Sequence, residues 1–206
     1  MRQYPAADPK SPTLVLAHGA GAGEQHPWMV RVAGGLAARG IHVVTFNFPY
    51  MDSGRKAPDA GPVLEKAYGE AWAELVAGRS GPLFAGGKSM GGRIASQVAA
   101  KNGFQPAPAG LVFFGYPLHP PGKPEQRRDR HLPAVAQPML FFHGERDPFG
   151  SPDEMTDLAK RLPASSLHIV PAADHSLVTR RKSTPGSDVL ETVMDQAADW
   201  MRRVLY

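Results

Sequence analysis

Three residues set far apart in this chain have the types and the order of a nucleophile, an acid and a base: Ser89, Asp147 and His175. Ser89 lies in Gly87-Lys88-Ser89-Met90-Gly91, a G-x-S-x-G pentapeptide. The apolar run Pro82-Leu83-Phe84-Ala85 leads in and the small-residue run Gly91-Gly92-Arg93-Ile94-Ala95-Ser96 leads out. A serine on a tight strand-to-helix turn has its hydroxyl pushed clear of the backbone, and such a turn needs neighbours without bulky side chains. A hydroxyl attacks well only when a base takes its proton, and the base needs a third group to fix its tautomer. Downstream, the run Met139-Leu140-Phe141-Phe142-His143-Gly144-Glu145-Arg146-Asp147 reads as a buried strand with an acid at its exit. Leu167-His168-Ile169-Val170 reads as another, followed by a loop that carries His175. Acid and histidine both emerge at the carboxyl ends of strands, the edge where open α/β sheets build their sites. The chemistry expected is nucleophilic hydrolysis of a small carboxylic ester or related acyl compound, through an acyl-enzyme on Ser89.

Rival assignments fail on position. Glu145 comes too early, Asp153 falls in the first turn of a helix where a carboxylate suits the dipole, and Asp174 adjoins His175 as a loop acid. His42 and His168 sit within or beside strands and are read as structural. His18 and His143 precede glycines at strand ends and are read as turn braces, while His26 and His131 carry no motif. The stretch Gly81–Ser89 resembles a phosphate-binding P-loop. However, one residue too many separates Gly81 from Gly87-Lys88-Ser89, and the intervening residues form an apolar strand rather than a turn offering N–H groups.

An acyl-transfer site also needs two backbone N–H groups aimed at the developing oxyanion. One is expected from Met90, which follows the nucleophile, and the other from the small-residue loop His18-Gly19-Ala20-Gly21-Ala22-Gly23, at Ala20 with Gly21 as the alternative. Gly21, Tyr50, Lys88 and His119 are the candidate substrate contacts: Gly21 beside Ala20, Lys88 beside the nucleophile, Tyr50 and His119 in loops expected to face the site. The basic run Arg127, Arg128, Arg130 and His131, with Lys88 beside the nucleophile, could recognise an acidic ester or carboxylate substrate, but a solvated charged loop is the favoured reading of the run. No metal and no cofactor is expected.

Short apolar runs at Thr13–Ala17, Ile41–Phe46, Leu83–Ala85, Leu111–Phe114, Met139–Phe142 and Leu167–Val170 read as strands covered on both faces. Helices are expected at Trp28–Ala38, Val63–Ala77, Met90–Lys101, Pro152–Arg161 and Val189–Val204. The fourth opens on a capping box, Ser151-Pro152-Asp153-Glu154, and the last carries an apolar stripe. Such alternation predicts a doubly wound α/β sheet of about six mostly parallel strands with helices on both faces. The 206 residues are expected to form a single domain, 1–206. A hydrophobic fraction of 42% and a charged fraction of 20% are ordinary for a globular chain. The absence of cysteine excludes disulfides and a thiol nucleophile. A net charge of +4 is too diffuse to argue for nucleic acid. No long apolar run argues for a membrane, and no leader is evident, so a cytoplasmic location is expected.

Taken together, His18–Gly23, Phe46-Asn47-Phe48-Pro49-Tyr50-Met51, Gly86-Gly87-Lys88-Ser89-Met90-Gly91-Gly92-Arg93, Tyr116–Lys123 and Gly144-Glu145-Arg146-Asp147 resemble one branch of the α/β-hydrolases. It is the small branch similar to dienelactone-hydrolase-like proteins and testis-expressed hydrolase homologues, and the resemblance runs over nearly the whole chain. It implies a triad at Ser89, Asp147 and His175 with an oxyanion hole at Ala20 and Met90. Dienelactone hydrolase itself uses a cysteine where this chain has Ser89, so its substrate does not carry over. Some relatives act in protein complexes, which leaves a catalytically silent interaction module as an alternative; acyl transfer or perhydrolysis on the same triad is another. About twelve residues precede the first predicted strand, so the two leading strands usual in this fold are expected to be absent or vestigial. No insertion is long enough for a helical cap, which leaves a shallow site roofed, if at all, by residues 116–137.

Overall fold

Each apolar run becomes a strand whose alternate side chains enter two separate cores. In β2 (Thr13–Ala17), Val15 and Ala17 join one core while Leu14 and Leu16 join the other. This is the two-sided burial that a continuous apolar strand requires. A computed structural model describes residues 1–179 and 188–205. It contains seven strands: β1 (Arg2–Tyr4), β2, β3 (His42–Phe46), β4 (Leu83–Lys88), β5 (Gly110–Phe114), β6 (Met139–Gly144) and β7 (Ser165–Val170). They lie in the order β1-β3-β2-β4-β5-β6-β7. All neighbours are parallel except β1, which pairs antiparallel with β3 through Arg2 opposite Thr45. The order reverses between β2 and β4, which sets the crevice for a site at their carboxyl ends.

Helices α1 (Pro27–Ala38) and α6 (Val189–Arg203) cover one face. Helices α3 (Gly61–Val76), α4 (Met90–Ala100) and α5 (Pro152–Lys160) cover the other. On α6 the stripe Leu190, Val193, Met194, Ala197 and Met201 is buried as its spacing predicts. Met194 packs so closely on Gly35 of α1 that a Cβ there would come within 2.3 Å of its sulfur. The capping box of α5 forms in full: Glu154 N–H donates to Ser151 Oγ at 3.2 Å and Ser151 N–H donates to Glu154 Oε2 at 2.8 Å.

The sequence reading differs from the structure in three places. The sheet has seven strands rather than six, because Arg2-Gln3-Tyr4 forms a short edge strand whose polar residues give no apolar signal. Pro49–Asp52, expected as loop, is a single helical turn, α2, started by Pro49 at its first position. Residues 116–137, a segment so rich in proline and charge that its sequence reads as irregular surface rather than core, drive Tyr116, Leu118 and Leu132 fully into the core. Tyr116 O–H donates to Arg128 O and Arg128 N–H donates to Leu118 O, both at 2.8 Å, so the segment folds on itself.

Candidate active site

Ser89 sits between β4 and α4 with φ 51° and ψ −117°, a left-handed conformation that L side chains rarely adopt. Its surroundings leave no alternative. A Cβ on Gly87 would lie 2.5 Å from the Gly91 carbonyl carbon, and one on Gly91 would lie 2.5 Å from Ala17 O. Ser89 N–H donates to Phe114 O at 3.0 Å, which ties the turn to β5. Beneath it the Tyr68 hydroxyl, reaching in from α3, accepts from Gly86 N–H at 2.9 Å and lies within 2.8 Å of both Val15 O and Gly86 O. Sequence reasoning placed Tyr68 only within the helix expected at Val63–Ala77, and its role under the turn becomes visible only in three dimensions.

The three residues singled out for acyl chemistry meet here. Ser89 O–H donates to His175 Nε2 at 2.8 Å, and His175 Nδ1–H donates to Asp147 Oδ2 at 2.7 Å. Asp147 follows β6, and its side chain is fully buried. Phe149 N–H donates to its second oxygen at 2.9 Å. Burial alone would raise the Asp147 carboxyl, but the bonds from His175 and Phe149 outweigh it and hold it below the usual carboxylate range. Burial is also the main influence on His175 and lowers it from 6.5; the Asp147 bond opposes this shift and the Lys88 charge adds to it. The resting arrangement is therefore an ionised acid beside a neutral imidazole with its Nε2 lone pair free to accept the serine proton. Of the rival acids, Glu145 accepts from Ala172 N–H at 2.6 Å and Asp174 accepts from Ser176 N–H at 2.8 Å, so both brace the His175 loop.

The loop after β2 comes down beside the elbow. His18 Nε2 accepts from Phe48 N–H at 3.1 Å, so its Nδ1–H donates to Gly19 O at 2.8 Å, and this buried imidazole fixes the start of the loop. Ala20 lines the cavity at Ser89, while Met90 opens α4, where the first N–H groups have no partner within the helix. Gly21 differs: its N–H donates to the Tyr50 hydroxyl at 3.3 Å.

A cavity of about 270 Å³ opens at the nucleophile, bounded by Ala20, Trp28, Met29, Lys88, Phe149 and the triad edge. Of the candidate substrate contacts only Lys88 lines it. Tyr50 is fully buried on α2 and braces Gly21 instead. His119 is buried with its ring nitrogens engaged by Pro120 O and Glu154 Oε2, away from the cavity. Arg127 is taken by Asp129 at 2.7 Å and Glu154 at 3.3 Å, as expected of a charged surface loop. Three cavity residues escaped the sequence reading. Trp28 Nε1–H donates to Ser176 O at 2.8 Å, the Phe149 ring lies against His175 with centroids 4.3 Å apart, and His26 both caps α1 and lines the wall. Asp147-Pro148-Phe149 did carry a readable signal, since aspartate before proline favours a turn closed by its own carboxylate. Among the described residues no group of three metal-ligating side chains converges, and no helix is long and apolar enough to cross a membrane.

A three-layer sheet with its serine elbow at the switch point defines the class of α/β hydrolases. A family model described as an alpha/beta hydrolase domain matches residues 10–203, and the chain belongs to that family. Among solved structures it is similar to a dienelactone hydrolase from Anabaena variabilis, with 21% identity and a TM-score of 0.71 over 98% of this chain and 89% of that one. It is also similar to Est1E from Butyrivibrio proteoclasticus, with 15% identity and a TM-score of 0.70 over 97% and 90%. The esterase domain of a Rhodothermus marinus protein matches with 17% identity and a TM-score of 0.69 over 98% and 91%. At these identities the solved structures speak for the fold, and the family match supports a hydrolase.

Proposed function

We propose that the chain is a serine hydrolase that cleaves a small carboxylic ester or related acyl compound through an acyl-enzyme on Ser89. The observation that carries this reading is the continuous chain of hydrogen bonds from Ser89 Oγ through His175 to Asp147, at 2.8 and 2.7 Å. In the first half-reaction Ser89 Oγ attacks the acyl carbon while His175 Nε2 takes the hydroxyl proton. The carbonyl electrons move to oxygen, stabilised by Ala20 and Met90 N–H, and on collapse the alcohol leaves with the proton from His175. Water then repeats the sequence on the acyl-enzyme, and Ser89 is regenerated with release of the carboxylic acid. Asp147 holds the imidazole tautomer and stabilises the imidazolium that forms. The cavity of about 270 Å³ favours small acyl compounds over long chains.

The test is incubation with short p-nitrophenyl esters and with a fluorophosphonate probe. Steady turnover and labelling at Ser89 are expected. Ser89→Ala should lower kcat by roughly 10³-fold or more, since triad members act as a unit. A folded protein that neither turns over any ester nor labels at Ser89 is an interaction module, and the proposal fails.

A further inference from the structure

Lys88 occupies the variable position before the nucleophile, and its side chain runs under the His175 loop rather than out to solvent. Only 9% of the residue is exposed. Its Nζ donates to His175 O at 2.5 Å and stands 5.8 Å from the centre of the Trp28 ring. An ammonium has three donors. The carbonyl takes one and the indole face supplies only diffuse attraction. No carboxylate reaches Lys88 within ion-pair distance among the described residues; Asp147 and Asp174 act on it only from further away. The charge is therefore sequestered and only partly compensated, a costly arrangement unless something pairs with it.

The cavity wall sharpens the point. Lys88 lines it beside Ser89 and His175, His26 stands at the same wall, and among the described residues no acidic side chain contributes. A cavity wall next to a nucleophile whose only formal charge, among the described residues, is a buried cation with spare donors is built for an anion.

We infer that the substrate is a small ester carrying a carboxylate, and that Lys88 binds that carboxylate next to the scissile bond. The inference rests on the serine-hydrolase reading above and adds a substrate class to it. The carboxylate would receive one or two Lys88 N–H bonds, with the Trp28 ring screening the pair from water. Burial supports this role, because it lowers the ammonium to about 8 in the absence of an anion, and Asp147 and Asp174 only partly restore it. A bound carboxylate would raise it again.

Matched pairs that differ only in charge test the inference. Monoethyl succinate against ethyl succinamate places the charge on the acyl side; acetoxyacetate against acetoxyacetamide places it on the alcohol side. Release of alcohol or acid is followed at pH 7. The expected result is a kcat/KM at least roughly tenfold higher for the charged member of one pair, in line with a charge-assisted hydrogen bond. Because Lys88 also holds the His175 carbonyl, Lys88→Met is read by that ratio and not by its basal rate: the preference should fall to about one, and Lys88→Arg should keep part of it. Turnover of both pairs with no preference for charge in the wild-type protein overturns this inference alone. Absence of turnover together with absence of fluorophosphonate labelling overturns the serine-hydrolase reading and this one with it. Labelling without turnover is resolved by protection: succinate must slow labelling of Ser89 more than succinamate does, and equal effects overturn the inference.

Discussion

At Ser89 the backbone accepts a conformation that costs on the order of 1–3 kcal/mol, and the glycines packed around it keep the residue from relaxing. That strain aims Oγ at the His175 imidazole, whose protonation then governs reactivity. Burial and the nearby Lys88 charge both lower His175 from 6.5, against the pull of Asp147. A base works only when unprotonated, so a lowered value keeps it active further into acid. The acid limb of kcat/KM should therefore have its midpoint below 6.5, and Lys88→Met should move that midpoint upward because one of the lowering influences is gone. A pH–rate profile on a neutral ester, where carboxylate binding plays no part, measures both; a limb at or above 6.5 in the wild type contradicts the assignment of the base.

The elements place these side chains by meeting at their ends. Gly115, just after β5, has φ +68°, and a Cβ there would sit 2.6 Å from His175 O. Gly144, at the end of β6, would put a Cβ 2.2 Å from Asp174 O. The histidine loop thus rests on two positions without side chains. Gly115→Ala should displace it and lower kcat by roughly tenfold to a hundredfold, as misplacement of a catalytic group by about 1 Å does. A loss of stability should accompany it, since the positive φ and the backbone carbonyl in the way both strain an alanine there, and kinetics beside a melting curve separate the two effects.

The elements that make this possible were largely legible in the chain. β2 and β4 to β6 are continuous apolar runs, the α5 capping box is a local pattern, and G-x-S-x-G declares a turn by its glycines. What escaped depends on contacts between segments far apart in sequence. Trp28 meets Ser176 across 148 positions, Tyr68 reaches Gly86 across 18, and Tyr50 reads as a loop residue until α2 turns it inward. β1 escaped because an edge strand needs little hydrophobicity.

Across the whole molecule, burial is the dominant influence on His18, His42, His131, His168 and His175, and all five lie below 6.5, with His42 lowered to about 4 by burial and then by the Arg79 charge. In the unfolded chain these imidazoles take up protons near pH 6.5, while the folded protein resists doing so until lower pH. The unfolded state then binds more protons, so stability is full above about 6.5 and declines on acidification. For His42 the decline continues to about 4. Melting curves between pH 7.5 and 4.5, at constant ionic strength, should show a falling Tm; a Tm that is flat or rises over that range contradicts the burial of these rings.

The sheet order also decides when the site can exist. Ser89 and the loop after β2 belong to the first half of the chain, whereas Asp147 and His175 belong to the second, and the halves join along the β4–β5 seam. A nascent or nicked chain ending at the exposed Asn102–Gly103 turn would carry a nucleophile with no base. Reactivity at Ser89 is in this sense a reporter of assembly, switched on only when the two halves have closed on each other.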